Sequence, residues 1–264
     1  GVFFSEFVTL IITFAGQTGD VIVQAEIHEL AFCLGAYLIY MFLKPKKDIV
    51  FYILLGLTLF CFLAAFKRIG IIAIAVAVAL GWMLKFIAKF KTSTAKSLTL
   101  IISVLILVFL IGYIAIIKMD VFTLLEKAGI NTSGRVEIYD AVDKFYDFSI
   151  EFLGNGIGFL TYQLSTNMNV GVSSVHNDFL QYFIDLGFCG YILWLASMTI
   201  VRVCYFGRKE KTENAIITLA LTIYLVIVSS TDNTMNYPLL TTVLAIIMIG
   251  DGFNDEVRNK EMKM

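Results

Sequence analysis

The sequence predicts an all-α protein: a polytopic transmembrane helix bundle of about seven to eight spans with one large extracytoplasmic loop containing short helices. Three observations predict it. Hydrophobic residues make up 59% of the 264 residues and charged residues only 16%, against about 25% charged in an ordinary soluble domain. The apolar residues gather in runs that approach the roughly 20 residues a spanning helix needs. The basic residues collect at alternate connections between those runs.

The runs lie at 1–16, 28–43, 49–66, 69–88, 97–117, 179–205, 214–230 and, shorter, 238–250. The first is the weakest, being short and carrying Glu6. It reads as the remnant of a cut helix. The chain begins with Gly1 and shows no basic n-region or cleavage site, so an N-terminal part with further helices is expected to be missing.

Charge placement orients the runs. Lys44, Lys46 and Lys47 follow the second; Lys85, Lys89, Lys91 and Lys96 the fourth; Arg202, Arg208, Lys209 and Lys211 the sixth. Arg258, Lys260 and Lys263 close the chain. The alternate connections hold only Lys67, Arg68, Lys118, Lys127, Arg135 and Lys144. Lysine and arginine favour the cytoplasmic side, so the clusters are expected inside and the other connections outside. A bacterial cytoplasmic (inner) membrane location follows once the family below is considered. Residues 1–264 are read as a single transmembrane domain, with 118–178 as its large extracytoplasmic loop.

That loop is far longer than the others, and long connections with their own structure tend to be functional. Residues 135–150 have helical spacing. Arg135, Tyr139, Val142 and Tyr146 share one face, while Glu137, Asp140, Lys144 and Asp147 share the other. Gly154-Asn155-Gly156-Ile157-Gly158 breaks the helix. No strand precedes these glycines, so they are not a dinucleotide fingerprint.

The net charge of −1 offers nothing to a nucleic-acid partner. Cys33, Cys61, Cys189 and Cys204 all fall in apolar runs without CxxC or His spacing, so neither a metal site nor a disulfide framework is expected.

Three signals stand out on the outer side. His176 lies in Ser173-Ser174-Val175-His176-Asn177-Asp178-Phe179-Leu180-Gln181. Ser173 or Ser174 can cap a helix there. Asn177, Gln181 and Asp185 then form a polar stripe about 12 Å long. Such a stripe in a membrane faces a wet cavity or a protein partner, and helix capping with interhelical hydrogen bonds accounts for it equally well. Arg68 sits between two apolar runs, against the positive-inside trend; an anion or lipid headgroups would suit it. Arg135 opens the loop helix, where free backbone N–H groups favour anions, although nearby acids also suit it. Two arginines and a histidine on one side suggest an anionic substrate, because the planar guanidinium donates to phosphate bidentately.

The sequence resembles the O-antigen ligase and O-antigen polymerase superfamily of bacterial envelope glycosyltransferases. His176-Asn177-Asp178-Phe179-Leu180-Gln181, continuing through Asp185-Leu186-Gly187 to Gly190, is similar to the family's His-Asn pattern with its later acid and glycines. Ser133-Gly134-Arg135 with Ile138-Tyr139 resembles the Gly-Arg motif opening the family's outer loop. Gly154 to Gly158 resembles its glycine-rich segment. Lys67-Arg68-Ile69-Gly70 resembles its Ser-Arg-Gly motif, with Lys67 and Ile69 as departures.

The resemblance implies a donor glycan on undecaprenyl diphosphate, a sugar hydroxyl as acceptor, and neither cofactor nor metal. It makes Arg68 and Arg135 diphosphate holders, His176 the proton acceptor and Asn177 a substrate-binding or orienting neighbour. Histidine suits general-base work because its ordinary titration lies near neutrality. The leading expectation is a polymerase of O-antigen or of capsular or exopolysaccharide repeat units. The alternative is a ligase that delivers glycan to lipid A-core. A polysaccharide transporter or flippase is the alternative of another class, but it predicts midplane charges and internal repeats that the sequence lacks. Membrane lipid, a flippase and a chain-length regulator are the further partners implied.

Overall fold

The computed structural model describes residues 28–46, 48–65, 67–129, 134–167, 174–208 and 212–261. The run predicted at 1–16 and the connection 17–27 lie outside the described residues. Every regular element among the described residues is helical. In chain order they are α1 (His28–Leu43), α2 (Ile49–Ala64), α3 (Arg68–Phe90), α4 (Thr92–Lys118), α5 (Val121–Lys127), α6 (Arg135–Val142), α7 (Phe159–Thr166), α8 (Asp178–Ala196), α9 (Arg202–Arg208), α10 (Thr212–Ser229) and α11 (Pro238–Glu261).

Four helices are long and apolar enough to cross a membrane: Arg68–Phe90, Thr92–Lys118, Asp178–Phe206 and Thr212–Ser229. The third joins α8 to α9 through a π-helical turn at Ser197–Val201. Three shorter apolar helices, Glu29–Leu43, Ile49–Ala64 and Pro238–Ile249, stand at three more of the predicted runs.

The chain divides into two compact units. The first holds residues 1–99, 205–228 and 234–264, and α1 is its centre. That helix is apolar on nearly every face, the pattern of a helix surrounded by others. Phe32, Leu34, Leu38, Ile39 and Leu43 are all buried, and α2, α3 and α11 pack against it. Gly35 admits the Tyr224 ring, whose hydroxyl donates to the Phe32 carbonyl at 2.9 Å. Lys85 donates to the Leu43 carbonyl and pairs with Glu213, so a cation meets the negative end of the α1 dipole. Phe60, Ile72, Phe86 and Phe90 face outward on α2 and α3. An apolar belt of that kind would be a liability in water and suits contact with lipid tails.

The second unit comprises residues 100–204 and 229–233, so it contains the long loop. The two faces predicted for 135–150 are observed: Tyr139, Val142 and Tyr146 are buried, while Glu137, Asp140, Lys144 and Asp147 are exposed. The predicted length is corrected. The helix ends at Val142, a single 3-10 turn follows at Asp143–Phe145, and Tyr146 is extended. Lys118 accounts for the stop. Its ammonium donates to the carbonyls of Asp143 and Tyr146, each at 3.0 Å, giving them a partner outside any helix.

Gly154 and Gly187 bring two stretches of backbone together. Gly187 breaks α8 with φ 73° and ψ 178°. At that break Phe188 N–H donates to the Phe152 carbonyl, while Asn155 and Gly156 N–H donate to the carbonyls of Ile184 and Asp185. A Cβ on Gly187 would stand 2.2 Å from the carbonyl carbon of Leu153, and one on Gly154 would stand 2.4 Å from the Gly187 nitrogen. Only glycine fits either position, because backbone rather than a flexible side chain is in the way.

Candidate functional site

The site is built around the start of α8. Asn177, not the predicted Ser174, caps this helix: its Oδ1 accepts from the backbone N–H groups of Phe179 and Leu180 at 3.1 and 3.2 Å. Ser173 lies outside the described residues. The Nδ2 of Asn177 donates to the hydroxyls of Tyr113 and Tyr139 at 3.0 and 2.9 Å. One fully buried amide therefore ties together α4, α6 and α8. Burial pushes the Tyr139 hydroxyl above the usual tyrosine range, opposed by the Asn177 hydrogen bond and the nearby Arg135 charge.

The rest of the stripe is also satisfied within the protein. Gln181 donates to Thr161 Oγ1 at 3.2 Å and accepts from Asn233 Nδ2 at 2.6 Å. Asp185 accepts from the N–H groups of Gly158 and Leu160 at 2.8 and 3.1 Å, which places a carboxylate at the N-terminal end of α7, where the free N–H groups and the dipole both favour it. A lateral view of sequence spacing left two readings for this stripe. The hydrogen bonds assign it to holding the loop against α8.

His176 is treated differently. Val175 and Asn177 on either side are fully buried, whereas His176 is exposed and has a left-handed backbone with φ 50°. This backbone carries the imidazole outward between two anchored neighbours. Its Nδ1 lies 3.8 Å from Asp232 Oδ1.

Arg135 begins α6 after Gly134, whose φ of 73° suits glycine. Arg135 is half-buried, and its Nη2 donates to the Thr231 carbonyl at 3.1 Å. Its Nε is buried with no hydrogen-bond partner among the described residues. A buried guanidinium N–H left unpaired is costly, and an anion there would satisfy it.

Thr231, Asp232 and Asn233 thus form one turn that meets Arg135, His176 and Gln181 in consecutive residues. The structure therefore brings Arg135, His176 and Asn177 into one neighbourhood. Arg68 is the first residue of α3 in the first unit and is exposed. Asp232 was missed by the sequence reading, which treated 229–237 only as an outer connection. A signal was present: Ser229 to Thr234 is an unbroken polar run between two apolar ones.

A cavity of about 370 Å³ adjoins this neighbourhood, with Tyr139 as the shared wall. Phe122, Tyr146, Asp120, Asp140 and Asp143 also line it. Among the described residues no group of three His, Cys, Asp or Glu side chains is placed to hold a metal ion.

A family model described as O-antigen ligase matches residues 53–195, which is more than half of the chain. The match covers α3 to α8 with Arg68, Arg135, His176 and Asn177. The comparisons with curated proteins and with solved structures found no match.

Proposed function

The chain belongs to the O-antigen ligase family, and from that premise we propose that it is a membrane glycosyltransferase that moves a glycan from undecaprenyl diphosphate to a sugar hydroxyl. The observation that carries this reading is the turn at 231–233. It holds an under-partnered arginine and an exposed histidine on adjacent residues. A cation for a departing diphosphate beside a base for an attacking hydroxyl is what this transfer requires.

The roles are those the family resemblance implies, with Asp232 added from its place beside His176. His176 takes the proton from the acceptor hydroxyl. Asp232, beside Nδ1, orients the ring and stabilises the imidazolium, which leaves Nε2 for the hydroxyl. The acceptor oxygen bonds to the anomeric carbon as the bond to the diphosphate oxygen breaks, and undecaprenyl diphosphate leaves with the electron pair. Direct displacement inverts that carbon. Arg135 supports the charge that grows on the diphosphate, and the resemblance of Lys67-Arg68-Ile69-Gly70 to the family's Ser-Arg-Gly motif gives Arg68 a diphosphate-binding role as well. Asn177, whose hydrogen-bonding atoms are engaged within the protein, serves as the positioning residue behind His176. The reaction as written needs no metal or nucleotide.

We read this site as lying on the extracytoplasmic face of the inner membrane, because the lysine clusters at the alternate connections favour the cytoplasmic side. We favour the polymerase, in which the acceptor is another lipid-linked repeat unit. The description of the matching family favours the second reading, a ligase acting on lipid A-core. A flippase to supply the donor and a chain-length regulator are the partners this scheme invites.

The test is purified protein in nanodiscs supplied with lipid-linked repeat units. Lengthened chains are expected from the native protein and none from His176→Asn, a substitution that tolerates the left-handed backbone. Lengthening that survives His176→Asn overturns the mechanism. Transfer only when lipid A-core is added makes the protein a ligase.

A further inference from the structure

The cavity beside Tyr139 has no role in the reaction described above, yet its walls are those of a ligand site. Its volume of about 370 Å³ is within the range of small-molecule pockets, roughly 300–1,000 Å³. Phe122 stands edge-on to Tyr139 with ring centroids 5.0 Å apart, so aromatic surface forms one side. Tyr146 is only 4% exposed and lines the cavity. Its hydroxyl has no hydrogen-bond partner among the described residues. Because Tyr146 lines the cavity, a ligand there can supply that hydroxyl with a partner.

The charges sharpen the chemistry. Three carboxylates, Asp120, Asp140 and Asp143, face a single cation, Lys118. Lys118 is already committed: it pairs with Asp143 at 2.8 Å, donates to two carbonyls and lies over the Tyr146 ring at 4.6 Å. Asp120 accepts from Thr123. The Asp140 carboxylate has neither hydrogen bond nor ion pair among the described residues. The cavity thus offers acceptor oxygens, the aromatic surface of Phe122 and Tyr139, a phenol hydroxyl and a negative potential. Carboxylates accept paired hydrogen bonds from neighbouring hydroxyls, and aromatic faces cover the apolar face of a pyranose.

We propose that this cavity is a saccharide subsite that takes a neutral or amine-bearing ring of the glycan substrate and rejects a ring carrying a carboxylate or phosphate. The proposal rests on the glycan-transfer reading and adds a sugar preference to it. Tyr139 links the two places, because its hydroxyl is bonded to Asn177, the neighbour of His176.

The experiment is saturation-transfer NMR on the whole protein in nanodiscs with methyl glucoside, glucosamine and glucuronate as probes. Transfer is expected to the first two and not to glucuronate. Tyr146→Phe keeps the ring and is expected to weaken both binding sugars. Asp140→Lys, at an exposed position, is expected to weaken glucosamine about tenfold or more, as loss of a charged hydrogen bond should, and to admit glucuronate. Equal binding of glucuronate and glucosamine to the native protein overturns the proposal. So does a sugar signal that neither substitution changes, or no signal at all.

These readouts measure binding, so they separate from the test of the reaction. A His176→Asn protein is expected to keep the sugar signal while losing transfer. Sugar binding by a protein that transfers nothing would spare the subsite and sink the transferase. Transfer without the stated sugar preference would do the reverse.

Discussion

Two groups of polar residues lie side by side at the start of α8 and meet opposite surroundings. Asn177, Gln181 and Asp185 are buried, and each is held by hydrogen bonds to other parts of the second unit. His176 is exposed, and Arg135 retains a buried N–H without a partner among the described residues. Both groups would look alike as polar residues near a membrane surface. The difference teaches that partnering, rather than polarity, separates groups that hold the fold from groups left available for chemistry. A satisfied buried carboxylate stabilises its neighbours, whereas an unsatisfied cation has binding capacity in reserve.

The comparison can be broken most strongly at Asp185. Asp185→Ala removes the acceptor for two N–H groups at the start of α7, and a loss of about 3 kcal/mol is expected. Thermal melting with glycan transfer checks it: stability should fall while the folded fraction still transfers. Unchanged stability would remove the stripe from the architectural group. Arg135→Gln is the counterpart. It should leave melting nearly unchanged and lower transfer about a hundredfold, the usual cost of deleting one donor to developing negative charge. A large drop in melting temperature with normal transfer would place Arg135 in the wrong group.

Asp232→Asn sharpens the boundary, since Asp232 is buried yet faces His176. As a positioning residue it should reduce kcat about tenfold with KM little changed. A rise in KM alone would make it a binding or packing group instead.

The smallest effect is expected at Asp140. Although Asp140 is exposed, slight desolvation beside its neighbours, followed by the charges of Asp120, Asp143 and Glu126, raises its carboxyl above the usual carboxylate range. A raised acid favours the folded state when protonated, and this advantage disappears as pH rises through the folded value. Asp140→Asn should therefore melt slightly higher than the native protein near neutrality. The gap should close as pH falls below the ordinary aspartate range near 4. A gap that widens in acid would contradict the sign.

Much of the organisation was legible because one-dimensional signals carry it. The apolar runs at 69–88, 97–117, 179–205 and 214–230 became the four long helices, since twenty apolar residues in sequence need no partner to declare themselves. The alternating exposure of Glu137 and Tyr139 also followed from spacing. The end of α6 did not, because it depends on Lys118, which arrives from another helix.

The sequence by itself determined the helical class, the four long apolar helices and the long polar loop, and it named Arg68, Arg135, His176 and Asn177 as candidates. Only the tertiary structure decided which of these are committed and which are available. It made Asn177 a cap and a bridge between two tyrosines, joined Asp185 to α7, set Asp232 beside His176 and brought Gly154 against Gly187. The physical reason is that hydrogen bonding and burial are properties of pairs. A side chain's partner can lie fifty or more residues away, as Asp232 does from His176, and no local pattern records the meeting.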